Sequence, residues 1–215
     1  LAGLIKRLAV DHLHIVGDIF DRGPCADRIM DLLMTYHSID IEWGNHDILW
    51  MGAAAGNRAC IATVIRNNLK YDNMKILENS YGISLRNLTL FAEKIYPGID
   101  PMKAALKEIS VLLFKLEGQV ILRNPDYKME DKLLLHKVDV ARQIVEVDGK
   151  EYEIKEEEFP TVNFAAENVE DVYQLTEEEE KEIEGLQMAF VNSIRLRQHI
   201  DFLYKKGSMY RIFNN

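Results

Sequence analysis

The sequence predicts an α/β fold with helical and β-hairpin elaborations, and three observations predict it. Residues 12–47 read as strand, polar loop, helix, strand and polar loop in succession. Several well-capped amphipathic helices follow, and Asp148-Gly149 separates two short segments of strand character. Residues 12–16 form a short apolar-rich strand that runs directly into GDIFDRGP. Residues 26–37 then place Ile29, Leu32, Leu33 and Tyr36 on one helical face. Residues 40–43 form a second strand, which ends at Gly44-Asn45-His46-Asp47. In a βαβ unit the strands are parallel and the crossover right-handed, so both polar loops leave the same edge of the sheet and converge.

Beyond this unit, GAAAG at residues 52–56 suits close helix packing, since its spacing matches no phosphate-binding loop. A helix carrying Ile61, Val64, Ile65 and Leu69 on one face comes next, and residues 74–77 read as a short strand. A helix over residues 85–95 stops before Pro97-Gly98. Asp100 as N-cap, Pro101 at the first position and Gly118 past the last turn delimit the next helix, with Leu106, Ile109, Leu113 and Leu116 apolar. Asn124-Pro125 breaks structure, and a short helical segment covers residues 129–136. Residues 144–147 pair with residues 151–154 across Asp148-Gly149, as a surface hairpin. Glu156, Glu157, Glu158 and Pro160 mark a loop. Thr176 and Glu179 form a capping box that opens a long helix toward Lys206, with Ile183, Leu186, Phe190 and Ile194 apolar and Gly207 at the C′ place. The acidic residues 177–180 sit at the positive end of that helix's dipole and read as a solvated face. The chain thus divides into a core segment (1–80), a helical segment (81–122) and a hairpin with a long helix (123–215).

Lys and Arg number 26 against 35 Asp and Glu, for a net charge of −9, which argues against nucleic-acid and membrane-surface binding. No apolar run approaches the roughly 20 residues that cross a bilayer, and LAGLIKRLAV lacks the features of a signal peptide. Cys25 and Cys60 make neither a disulfide framework nor a metal-binding pair, and read as small buried thiols of a cytoplasmic protein.

Chemistry concentrates on the two polar loops. Asp18, Asp21, Arg22, Asn45, His46 and Asp47 combine hard oxygen donors with an imidazole and a guanidinium. Such a set suits a divalent metal and a phosphate. Arg22 is placed to grip phosphate oxygens, and His46, paired with Asp21, to protonate a leaving alkoxide. Either loop alone is ordinary turn and capping chemistry; together, across a strand, a helix and a strand, they form a constellation. His12 and His14 share one strand face and read as polar strand-end residues rather than ligands. His136 and His199 read as surface or core histidines, and Trp43 and Trp50 as packing beneath the second loop.

GDIFDRG followed by GNHD resembles the calcineurin-like metallophosphoesterases. The strings VDHLHIVGDIFDRGP, IMDLLMTYHSIDIEWGNHDILWMGAAAG, YGISL, FAEK and HIDFLYKKGSMYRIFNN extend the similarity over essentially the whole chain, to the class III fructose-1,6-bisphosphatases of bacteria. The resemblance implies part of a metallophosphoesterase-type sandwich and hydrolysis of a sugar bisphosphate, fructose 1,6-bisphosphate, to fructose 6-phosphate in gluconeogenesis, dependent on manganese. By position, Asp18 would bridge two metals and Asn45 would bind the second metal while touching phosphate. His46 would be the general acid, Asp21 its carboxylate partner and Arg22 a phosphate contact, with Asp47 in a supporting role.

The family's upstream Asp-x-His strand and its later histidine ligands have no counterpart here, so the chain is expected to be the middle of a longer enzyme. A bare sheet edge is then expected to favour homo-oligomer formation. Two other functions remain open: a phosphoprotein or dinucleotide-polyphosphate phosphatase, since the short motifs are shared across that superfamily, and a catalytically silent module.

Overall fold

A computed structural model of the chain describes residues 2–155 and 158–210. In chain order its helices and strands are α1 (Ala2–Ala9), β1 (Leu13–Ile15), α2 (Ala26–Met34), β2 (Ile39–Glu42), α3 (Asn45–Ala54), α4 (Arg58–Lys70), α5 (Arg86–Ile95), α6 (Pro101–Arg123), β3 (Val138–Asp139), β4 (Ile144–Val147), β5 (Lys150–Glu153), α7 (Val169–Val172), α8 (Glu177–Asn192), α9 (Ile194–Lys206) and β6 (Gly207–Ser208). They fall into two compact units, Leu1–Leu85 with Gly185–Asn215, and Arg86–Glu184. This division differs from the three consecutive segments read from the sequence, because the last residues group with the first. The fold is of mixed α/β type. No helix among the described residues is long and apolar enough to cross a membrane.

The first unit is built on the expected crossover. β1 and β2 run parallel, with Leu13 opposite Ile39, His14 opposite Asp40 and Ile15 opposite Ile41. β6 adds to the other side of β2, also parallel. Ile39 and Ile41 are buried on one face of β2. On the other face, His12 Nε2 and His14 Nδ1 lie 2.8 and 2.9 Å from Asp40 Oδ1, so these histidines meet a carboxylate on the neighbouring strand.

Helix α2 is rotated from the expected orientation. Its buried residues are Ala26, Asp27, Met30 and Leu33, whereas Ile29 and Leu32 are 45% and 67% exposed. The cause is polar. Arg195 lies 3.2 Å from Asp27 and 2.6 Å from Asp31, and His199 Nε2 lies 2.9 Å from Asp31 Oδ1. These contacts bury Asp27 and tie Asp31, which stays exposed, to α9. His199 is buried, and burial lowers its pKa against the pull of Asp31.

Three further expectations in this unit are corrected. Residues 74–77 are helical, leading into a π-helical turn at Ile76–Ser80 that buries the adjacent Ile76 and Leu77, which a half-buried strand would direct to opposite faces. The single long helix is two, α8 and α9, divided at Ser193, whose hydroxyl donates to the carbonyl of Tyr81 at 2.6 Å. Consequently Phe190 is buried while Ile194 is 73% exposed. Gly207 is extended, with φ −114°, and pairs with Ile41 rather than closing the helix as a left-handed cap. Cys25 and Cys60 are free and half-buried. Trp50 packs on Phe20, Tyr81 and Phe190, and Trp43 Nε1 donates to the carbonyl of Leu203 at 3.0 Å, so both tryptophans serve packing as read.

In the second unit, Asp100 caps α6 by accepting from the amides of Met102 and Lys103. The helix does not stop at Gly118 but continues to Arg123. The ring of Tyr173 lies where a side chain at residue 118 would be, so this glycine allows close packing in the middle of the helix. Tyr173 belongs to a core with Val111, Ile121, Leu133 and Val172, and its hydroxyl lies 3.2 Å from His136 Nδ1. Two 3-10 turns, Glu130–Lys132 and Leu135–Lys137, replace the expected single helical segment. The hairpin pairs Val147 with Lys150 and Ile144 with Glu153, one residue earlier than read. Asp148 and Gly149, with φ 52° and 73°, form a two-residue left-handed turn, which makes Val147 and Lys150 the closing pair. Of the expected acidic loop, Glu156 and Glu157 lie outside the described residues.

The capping box forms: the Thr176 amide donates to Glu179 Oε2 at 2.7 Å and the Glu179 amide to Thr176 Oγ1 at 3.2 Å. Glu179 is not solvated, however. It is fully buried, and Lys115 Nζ donates to its two oxygens at 2.9 and 2.7 Å and to the Thr161 carbonyl at 2.6 Å. Glu108 is also fully buried, and neither of its carboxylate oxygens accepts a hydrogen bond.

Burial, reinforced by the negative charge of Glu179, pushes the Glu108 carboxyl up to about 8. The unfolded chain ionises this group near the usual carboxylate range, so the folded state holds an extra proton in the interval between. Stability from this residue is therefore complete below the unfolded pKa and is lost as pH rises toward 8. Glu108→Gln is expected to remove that loss. Denaturant titrations at pH 5 and pH 8.5 should show the variant gaining on the parent by on the order of 2 kcal/mol at the higher pH.

Candidate active site

The two polar loops meet at the carboxyl edge of β1 and β2. Gly17 and Asp18 both adopt left-handed backbone, with φ 84° and 51°, which folds the first loop sharply back on itself. Aspartate tolerates this region better than most residues. The second loop is shorter than the sequence suggested, because α3 begins at Asn45. Its first turn therefore presents backbone amides and the positive end of the helix dipole to the first loop, and Asp18 takes the amide of His46.

Two hydrogen bonds join the loops and a third closes the second loop on itself. Asp18 Oδ1 accepts from the amide of His46 at 3.1 Å. Asp47 accepts from the Phe20 amide at 3.2 Å and from the Gly44 amide at 3.0 Å. Asp47 is fully buried, and burial raises its pKa despite those amide donors. One carboxylate thus ties both loops together. Gly44 sits against Asp18 so closely that any added Cβ would overlap the carboxylate and the Asp18 amide.

Around this junction the side chains singled out from the sequence gather. His46 Nε2 lies 2.9 Å from Asp21 Oδ1, at ion-pair distance, and Arg22 Nε lies 3.5 Å from the same oxygen. That oxygen accepts no well-directed hydrogen bond, so both contacts are electrostatic. Asn45, Asp18 and Arg22 are exposed and His46 is half-buried. A cationic guanidinium, an imidazole beside a carboxylate, and a helix N-terminus can together hold a phosphate and deliver a proton.

The residues present do not by themselves make a two-metal centre. Among the described residues no group of three or more His, Cys, Asp or Glu side chains is arranged to hold a metal ion. Asp18 and Asn45 offer one carboxylate and one carboxamide, fewer than the about three protein ligands usual at a catalytic divalent site.

The far wall of the site comes from residues that no motif marks. A recess beside His46, Asp21 and Arg22 is closed by Asn67, Tyr71 and Asn73, from the end of α4 and the turn after it. Asn73 Nδ2 donates to the carbonyl of Gly23 at 2.9 Å and so holds the first loop, and the Arg22 guanidinium lies over the Tyr71 ring at 4.8 Å from its centroid. The string NNLKYDN carries a polar cluster at the end of an apolar helix face, a signal too common to select it.

Residues 1–215 match the family described as Firmicute fructose-1,6-bisphosphatase. Similar curated proteins are the class 3 fructose-1,6-bisphosphatases of Listeria innocua, at 47% identity, and of Listeria monocytogenes and Clostridium beijerinckii, each at 46%. The whole chain aligns with each, and it spans 35% of their length. No solved structure matches it significantly.

Proposed function

Because the chain belongs to the family of Firmicute fructose-1,6-bisphosphatases, we propose that the complete protein hydrolyses fructose 1,6-bisphosphate to fructose 6-phosphate and phosphate. The observation that carries this reading is the convergence of Asp18, Asp21, Arg22, Asn45 and His46 at one junction, stapled by Asp47.

In the proposed reaction Arg22 and the first-turn amides of α3 bind the phosphate that departs, and their donors favour the charge that builds on its oxygens. Water supplies the oxygen that joins phosphorus, keeping one hydrogen and releasing its other proton to solvent, and the bond from phosphorus to the sugar oxygen breaks. An imidazolium carries two N–H groups. One of them, in His46, faces Asp21, which fixes the ring, and the other gives its proton to the departing sugar oxygen. Manganese dependence belongs to the same proposal for the complete protein, with Asp18 and Asn45 as this chain's donors. So do a metallophosphoesterase-type sandwich continuing the sheet of β1, β2 and β6, a role in gluconeogenesis and a cytoplasmic setting.

A phosphate-release assay with manganese tests this reading, comparing fructose 1,6-bisphosphate, a phosphopeptide and a dinucleotide polyphosphate. The sugar bisphosphate is expected to be cleaved with the highest kcat/KM. Preference for either rival would replace the assignment with that of another phosphatase of the superfamily.

A further inference from the structure

The last turn of α4 carries features that the proposed reaction leaves unused. Asn67, Lys70 and Tyr71 stand at positions i, i+3 and i+4, and so share one face of the helix. Tyr71 is 40% exposed, and two cations attend its ring: Arg22 Cζ at 4.8 Å and Lys70 Nζ at 5.7 Å from the centroid. Two like charges beside one ring repel each other, and Arg22 has the Asp21 carboxylate beside it, whereas among the described residues Lys70 makes no ion pair. Asn68 and Asn73 have their amides committed, to the carbonyls of Val64 and Gly23. Among the described residues, the side-chain amide of Asn67 and the hydroxyl of Tyr71 make no hydrogen bond.

The geometry points to this face as the anchor for the second, non-reacting phosphate of a bisphosphate substrate, with Lys70 as its cation. The inference rests on the function proposed above and deepens it. Arg22 takes the phosphate beside His46, and Lys70, on the same ring, takes the other. Tyr71 is the positioning residue that holds both cations through its π face. Asn67, which lines the same recess, offers its amide to a sugar hydroxyl. The recess behind has room for about one water molecule, so the sugar sits at its mouth rather than inside.

The test uses the complete protein, with fructose 1,6-bisphosphate and p-nitrophenyl phosphate as paired substrates. Lys70→Ala is expected to raise KM for the bisphosphate about tenfold, the loss of one charge-assisted contact, with kcat little altered. The ratio of kcat/KM for the bisphosphate over the monophosphate should fall by the same factor, and Lys70→Arg should restore it. Tyr71→Ala should weaken both substrates because Arg22 loses its platform, and Tyr71→Phe, which restores the ring, should recover most of that loss. A parent that cleaves the bisphosphate while Lys70→Ala leaves the ratio unmoved overturns the anchor alone. A parent that does not cleave the bisphosphate overturns the proposed function and the anchor with it. Equal losses on both substrates in Lys70→Ala would make Lys70 a structural residue and also overturn the anchor.

Discussion

Asp18→Asn in the complete protein is expected to lower kcat at least about a hundredfold while leaving the thermal melt nearly unchanged. The separation of the two effects follows from geometry. Residue 18 has left-handed backbone, which asparagine adopts as readily as aspartate, and a carboxamide oxygen can still accept the amide proton of His46. What is lost is a negative charge at the point where the loops meet, together with the donor strength a divalent ion requires. Steady-state kinetics and a melt on the same preparation check this. Activity retained with manganese bound would remove Asp18 from the reaction.

Lys115→Met is expected to destabilise the second unit by about 3–5 kcal/mol, the cost of leaving a buried charge without its partner. Lys115 and Glu179 are both fully buried, and the lysine also satisfies the Thr161 carbonyl. With the ammonium gone, Glu179 faces Glu108 with no countercharge. Adding Glu179→Gln and Glu108→Gln should recover much of the loss, since an apolar or neutral set in the same volume carries no stranded charge. Urea denaturation followed by circular dichroism measures both steps. A single variant as stable as the parent would show that the pair contributes nothing to the fold.

How much of this was legible in the sequence depends on the range of the interaction. The crossover and its two loops were readable because strand, helix and turn periodicities are local, and the handedness rule then forces the loops together. The capping box at Thr176 was readable for the same reason. Its burial was not, because Lys115 lies 64 residues away from Glu179. The orientation of α2 is not legible from its apolar positions alone, because Arg195 and His199 on α9 pair with Asp27 and Asp31 and bury Asp27. Gly118 looked like a helix end until the Tyr173 ring occupied its side-chain space. In the site, the residues carried on motifs were visible, while Asn67, Tyr71 and Asn73 gained meaning only when α4 closed the recess.

The position of a bound phosphate analogue in crystals of the complete protein tests the shared site most directly. Tungstate is expected between the loops, contacting the Arg22 guanidinium and the first turn of α3, with His46 within hydrogen-bond reach. Tungstate bound away from both loops, with Arg22 and His46 facing separate surfaces, would contradict the account.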